Sequence, residues 1–229
     1  MTPNLAEVEA LILELTNAFR SEQRLGAVRR EAALDKAARD YAGYLARTGK
    51  FSHTADGRAF SDRIAAAGYA ACFSAENLAL NGDSRGFQAR QLARDAVEGW
   101  KNSPGHRKNM MAPLAIDIGV GVAKAPGAQT YYSVQLFGRP EALRQKIRIE
   151  NRAGLAIAFT LDGKERQLEQ RVILTLSTCQ PSEIALKPGA GYELAPRTPA
   201  RFTSSDGDTF VATRGSDGSV TMRHLPRTR

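Results

Sequence analysis

The sequence predicts an α+β domain followed by a smaller all-β domain, and three observations carry that prediction. Apolar residues recur at helical spacing in several stretches of the first hundred positions. Two β-branched or aromatic segments follow, "AIDIGVGVA" at 115–123 and "TYYSVQLFG" at 130–138, joined by a Gly/Pro-bearing loop. Beyond about residue 145 the helical period gives way to short strands punctuated by "RAG", "DG", "PGAG", "SSDGD" and "GSDG".

Each element follows from its residues. Leu5, Val8, Leu11, Ile12, Leu15 and Phe19 share a face over 5–20, with Gly26 as the expected stop. A second helix runs through 31–49, placing Leu34, Ala38, Tyr41 and Leu45 together and ending at Gly49. "KFSHTADGR" reads as a polar loop with a D-G turn, and "RAFSDRIAAAG" as a short helix closed by Gly68. "YAACFSAENLAL" is irregular or extended. "SRGFQARQLARDAVEGW" is helical again, with Trp100 in its core face. Pro104-Gly105 breaks that helix after Ser103 and swings His106 off its path, before a further short helix from Arg107. Helices first and strands second give a layered domain over 1–140, and "GRPEALRQ" at 138–145 is the expected linker to an all-β sandwich or barrel over 145–229.

Composition narrows function by exclusion. The chain has 229 residues, 42% hydrophobic and 24% charged, with a net charge of +8. No stretch approaches the roughly 20 apolar residues of a transmembrane helix. The acidic start lacks the basic n-region of a signal peptide. The protein therefore either stays in the cytoplasm or has lost an export signal before this numbering begins. The positive charge suits anionic surfaces, but its scatter and the lack of any nucleic-acid motif leave nucleic acid an unexpected partner. Cys72 and Cys179 form no CxxC. Two free buried thiols are the default; a bridge between them would add about 4–5 kcal/mol in a chain-entropy estimate.

Three polar positions stand out: His53 in "FSHTADGR", Glu76 in "AEN" and His106 in "SPGHR", each beside small residues that leave room for a ligand. Two imidazoles and a carboxylate match zinc or another divalent cation, or general acid–base work. Spacing alone does not group them, because no HExxH or i,i+4 pair fixes them on one helix. A turn residue bonded to backbone carbonyls is the plain alternative for His106.

The ordered blocks "FSHTADGR … RIAAAGY … AENLA … AVEGWKNSPGHRKNMM … IGVGVA … YYSVQLFG", spanning about 8–138, resemble bacterial members of the CAP superfamily. That superfamily takes in cysteine-rich secretory proteins, antigen 5 and class-one pathogenesis-related proteins. The resemblance implies an α–β–α sandwich with a cleft that gathers two histidines and acidic residues, here His53, Glu76 and His106. It also implies a secreted or periplasmic location with the signal peptide removed. One departure matters: eukaryotic relatives carry a second cleft glutamate where this chain has Ser103, and Glu98 lies about 140° around the helix. The loss makes the cleft less negative.

Two functions follow as expectations. The first is a secreted or envelope-associated module that recognises a lipid or an anionic envelope or cell-surface component, with a His/Glu cleft able to hold a divalent cation. The alternative is a metal-dependent, peptidase-like hydrolase using His53, Glu76 and His106, or Ser103 as nucleophile with His106 as base. Oligomeric state is not legible. Remaining features are structural: Asn77 bracing the loop after Glu76, Gly119 and Gly121 marking close backbone approach or a bulge, and Tyr131 and Tyr132 alternating between a buried and an exposed face.

Overall fold

A computed structural model describes residues 2–227. The chain forms two compact units that divide between Ala142 and Leu143.

The first unit is built on a four-stranded sheet. Its strands are β1 (Arg29–Arg30), β2 (Ala71–Gly82), β3 (Asp117–Lys124) and β4 (Thr130–Pro140), in the order β1-β3-β4-β2. β1 runs parallel to β3, and the other pairings are antiparallel. Helices α1 (Leu5–Glu22) and α4 (Ala89–Asn102) supply the core of one face, where Ile12, Leu92 and Trp100 meet Ile118, Val120 and Tyr131. Helices α2 (Ala32–Thr48) and α3 (Phe60–Ala66) supply the other, where Leu34, Tyr41 and Ile64 meet Tyr132, Val134 and Leu136. This is the expected α–β–α sandwich. A fifth helix, α5 (Pro104–Met110), follows α4 directly.

Period-2 alternation explains how one strand serves both layers. On β3, Ile118, Val120 and Val122 face the α1/α4 layer, while Gly119 and Gly121 face α2. A Cβ at Gly119 would lie 2.1 Å from the backbone carbon of Leu34, and one at Gly121 would lie 2.2 Å from the Arg39 nitrogen. Close backbone approach is therefore the role of both glycines, and no bulge interrupts the β3–β4 register. Carboxylates replace the missing apolar contacts: Asp35 accepts from the Val120 amide at 2.9 Å, and Glu9 from the Val122 amide at 3.3 Å. Arg30 and Arg39 hold these buried acids from the rim.

The second unit is a two-sheet sandwich. One sheet has the order β12-β11-β5-β8, from β5 (Gln145–Arg152), β8 (Ile173–Thr178), β11 (Thr209–Arg214) and β12 (Val220–Leu225). The other has the order β10-β9-β6-β7, from β6 (Ile157–Leu161), β7 (Lys164–Leu168), β9 (Glu183–Lys187) and β10 (Phe202–Thr203). Inward residues such as Ile147, Ile149 and Phe210 pack against Phe159, Ile184 and Leu186.

Several expectations need correction. α1 ends at Gln23, whose amide bonds back to Phe19 and Arg20; Arg24 takes the left-handed conformation, so Gly26 is not the stop. Tyr131 and Tyr132 do face opposite sides, yet both are buried, since helices cover both faces of the sheet. The linker read at 138–145 does contain the division between the units, with β4 running to Pro140 and a 3-10 turn at Glu141–Leu143 leading to β5. Of the two readings of 69–80, extended is the one observed, as β2 from Ala71 to Gly82. Neither cysteine is a free thiol, which overturns the default of two free buried thiols; both are only half-buried.

Candidate functional site: a histidine cleft with a saturated carboxylate

His53 sits in the turn-rich loop between α2 and α3, a segment whose sequence has no apolar period to make it helical. Two tyrosines from α2 pin this loop. Tyr41 Oη donates to the Ser52 carbonyl and accepts the Ala55 amide, and Tyr44 Oη donates to the Ala55 carbonyl at 2.9 Å. These tyrosines lie three residues apart on one helix face, which is why both reach the same loop. Burial pushes the Tyr41 phenol above its ordinary range.

Glu76 lies in mid-β2 and is buried, its side chain only 1% exposed. His53 Nδ1 stands 2.7 Å from its Oε1, and Arg63 Nη2 donates to its Oε2 at 2.8 Å. Arg63 is buried as well. It also donates to the His53 carbonyl at 3.0 Å and to Asp56 at 2.9 Å, and its guanidinium lies 3.4 Å over the Tyr41 ring. Both oxygens of Glu76 are thus engaged. A carboxylate held by a guanidinium only accepts, so Nδ1 carries the shared proton; Nε2 offers a lone pair in the neutral ring and a second N–H in the protonated one. The His53 side chain is 51% exposed, which leaves Nε2 able to meet a ligand.

His106 lies inside α5, two residues after its first position, and not in a turn between helices. Pro104 does not delay the next helix; at the first position its fixed φ starts one. No side chain is hydrogen-bonded to the His106 ring among the described residues. Burial, and then the charge of His53, hold the His106 imidazole below its ordinary value. The alternative for His106, a turn residue bonded to backbone carbonyls, is not seen among the described residues.

A buried polar chain fixes α5 on the sheet. Thr16 Oγ1 accepts from Gln135 Nε2 at 2.9 Å, and Gln135 Oε1 accepts from Asn77 Nδ2 at 2.9 Å. Asn77 Nδ2 also donates to the His106 carbonyl at 3.2 Å, and Asn109 Nδ2 donates to Asn77 Oδ1 at 2.9 Å and to the Glu76 carbonyl at 3.0 Å. Asn77 therefore braces α5 and not its own loop. From the far side Arg20, buried without a carboxylate partner, donates to the carbonyls of Met110, Ala112, Ala115 and Gly26. Burial lowers its ordinarily very high pKa.

The structure brings His53 and Glu76 into contact and His106 into the field of His53. It does not make them a three-ligand metal site: no group of three His, Cys, Asp or Glu side chains suited to a metal occurs among the described residues. One reason is visible at Glu76, whose two oxygens each already accept a hydrogen bond and whose neighbour Arg63 adds positive charge where a cation would need negative. Ser103 is the hinge between α4 and α5, and no hydrogen bond joins its Oγ to His106. The expected Ser103–His106 nucleophile pair is therefore not assembled. Glu98 is 51% exposed and pairs with Lys101 at 2.7 Å, as its helical angle requires. Sequence reading missed Arg63, Tyr41, Asn109 and Gln135. The one available signal was an arginine on the apolar face of a short helix, in "SDRIAAAG".

Comparison with known proteins agrees with this architecture. The family model described as "CAP: Cysteine-rich secretory protein family" matches residues 13–137. Uncharacterized protein YkwD of Bacillus subtilis (strain 168) is 29% identical over 124 residues, which is 53% of this chain and 45% of that protein. The chain thus spans less than half of that relative's length. An outer surface protein from Borrelia burgdorferi superposes with a TM-score of 0.52 at 22% identity, over 59% of this chain and 94% of that one. An extracellular protein containing an SCP domain from Bacillus anthracis str. Ames gives a TM-score of 0.49 at 24% identity, over 59% of this chain and 41% of that one.

Proposed function

The chain belongs to the cysteine-rich secretory protein family, and on that premise we propose that it is a secreted or envelope-associated recognition module. Its cleft reads a hydroxyl- or amide-bearing ligand group through the imidazoles of His53 and His106. The observation that carries this reading is the saturation of Glu76 by His53 and Arg63. That carboxylate orients the His53 imidazole and is itself held by a guanidinium, whose positive charge weighs against a cation at the same oxygens. A location outside the cytoplasm draws on a similar protein whose name places it on the outer surface. No described helix is long and apolar enough to cross a membrane. The net charge of +8 favours an anionic envelope surface as the partner.

Sedimentation with vesicles containing phosphatidylglycerol, whose headgroup is anionic and hydroxyl-rich, tests the reading. Co-sedimentation that falls when His53 and His106 are both changed to Gln supports it. Protein that stays in the supernatant, or that pellets equally with both histidines replaced, overturns it.

The metal-dependent hydrolase is the second reading, favoured by the outward Nε2 of a carboxylate-held histidine, the usual posture of a metal ligand. The donor set argues against it, because both Glu76 oxygens already accept hydrogen bonds and the Arg63 guanidinium stands beside them. Zinc calorimetry separates the readings: a micromolar isotherm abolished by His53→Ala would favour the hydrolase.

A further inference from the structure

A groove of about 370 Å³ lies between α2, α3 and the loop that carries His53. Neither His53, Glu76 nor His106 lines it, so it is not part of the cleft described above. Its apolar surface comes from Ala37, Ala66, Ala67 and the half-buried ring of Tyr44. Tyr41 lies parallel to Tyr44 within 6° and backs it from the core, buried and covered by the Arg63 guanidinium, so Tyr44 supplies the ring surface.

The charges around it do not cancel. Four cationic side chains and two carboxylates line the groove. Lys36 pairs with Asp40 at 2.6 Å and Arg63 with Asp56 at 2.9 Å. Arg47 and Arg58 remain, both exposed, and neither guanidinium forms an ion pair among the described residues; Arg58 Nη2 donates to the Asp62 carbonyl at 3.1 Å, and its backbone amide to Asp56. Two guanidinium groups beside the Tyr44 ring suit a flat body that ends in a carboxylate, because guanidinium binds carboxylate through paired, charge-assisted hydrogen bonds. The volume falls in the range of small-molecule sites.

We propose that this groove is a second binding site, for a small ring-bearing carboxylate, with Tyr44 contacting the ring and Arg47 and Arg58 holding the anion. The site is independent of the recognition role assigned to the histidine cleft.

The test is an amide-resolved NMR titration of the full chain with benzoate, with benzamide as the neutral isostere and inorganic phosphate as an anion without a ring. Saturable benzoate shifts confined to α2, α3 and residues 52–58, at least tenfold tighter than benzamide or phosphate, are expected. Arg47→Gln with Arg58→Gln should weaken benzoate at least tenfold, and because both residues are exposed the fold should persist with unchanged far-UV circular dichroism. Equal affinity for benzamide would remove the role of charge. Equal affinity for phosphate would remove the role of the ring. Shifts that map elsewhere, no saturable binding, or an unaffected double variant would each overturn the site.

Discussion

His53 Nδ1 and Glu76 Oε1 stand 2.7 Å apart across 23 residues of chain, one group half in solvent and the other buried. The exposed ring owes its orientation to the buried acid, and the acid is held in turn by Arg63.

Replacing Glu76 by Gln should therefore cost stability as well as orientation. The change leaves the buried Arg63 guanidinium facing a neutral amide, and breaking one side of a buried ion pair costs about 3–5 kcal/mol. A lowered urea midpoint with an unchanged m-value is the expected result. Adding Arg63→Met should recover part of the loss, since the stranded charge is then gone. Simple additivity of the two losses would show that the pair is not coupled.

His106 predicts a pH dependence of stability. Its folded pKa is depressed, first by burial and then by the charge of His53. The unfolded chain then takes up the proton first as pH falls, so stability rises with pH across this window. Loss should begin near the ordinary imidazole value of about 6.5 and level off below the folded value. His106→Gln should flatten this limb in denaturation curves taken between pH 7.5 and 5. An unchanged slope would assign the limb to other groups.

Gly121→Ala should be among the most damaging single-methyl changes in the chain. The added Cβ would fall 2.2 Å from the backbone of α2, and no side-chain rotation relieves a clash with backbone. Overpacking of this kind costs about 3 kcal/mol or more. Thermal denaturation should show a large fall in midpoint, whereas Gly99→Ala, where nothing lies within 4 Å, should not be harmful.

Arg20→Met should loosen α5 while keeping most of the packing volume. The change leaves the carbonyls of Met110 and Ala115 without the Arg20 donor, at about 1–3 kcal/mol for each group left buried and unpaired, while Ala112 keeps the Ala115 amide. Amide hydrogen exchange should accelerate through 104–115 before other parts of the first unit. Uniform acceleration would argue against a local anchoring role.

The sequence by itself determined the layered first domain, the all-β second domain and the family, because these rest on local periodicity and on ordered motif blocks. It also separated Glu98 from the cleft, since helical geometry alone sets that angle. Short or polar strands escaped it: β7, "KERQL", has no apolar alternation, and β1 is two arginines placed by pairing with β3. The chemistry of the cleft was decided only by tertiary structure. The residue types at 53, 76 and 106 announced a site, but whether Glu76 serves a cation or an imidazole depends on where Arg63 falls. That position is fixed by the packing of α3 on Tyr41 and β2, a long-range arrangement that no spacing along the chain encodes.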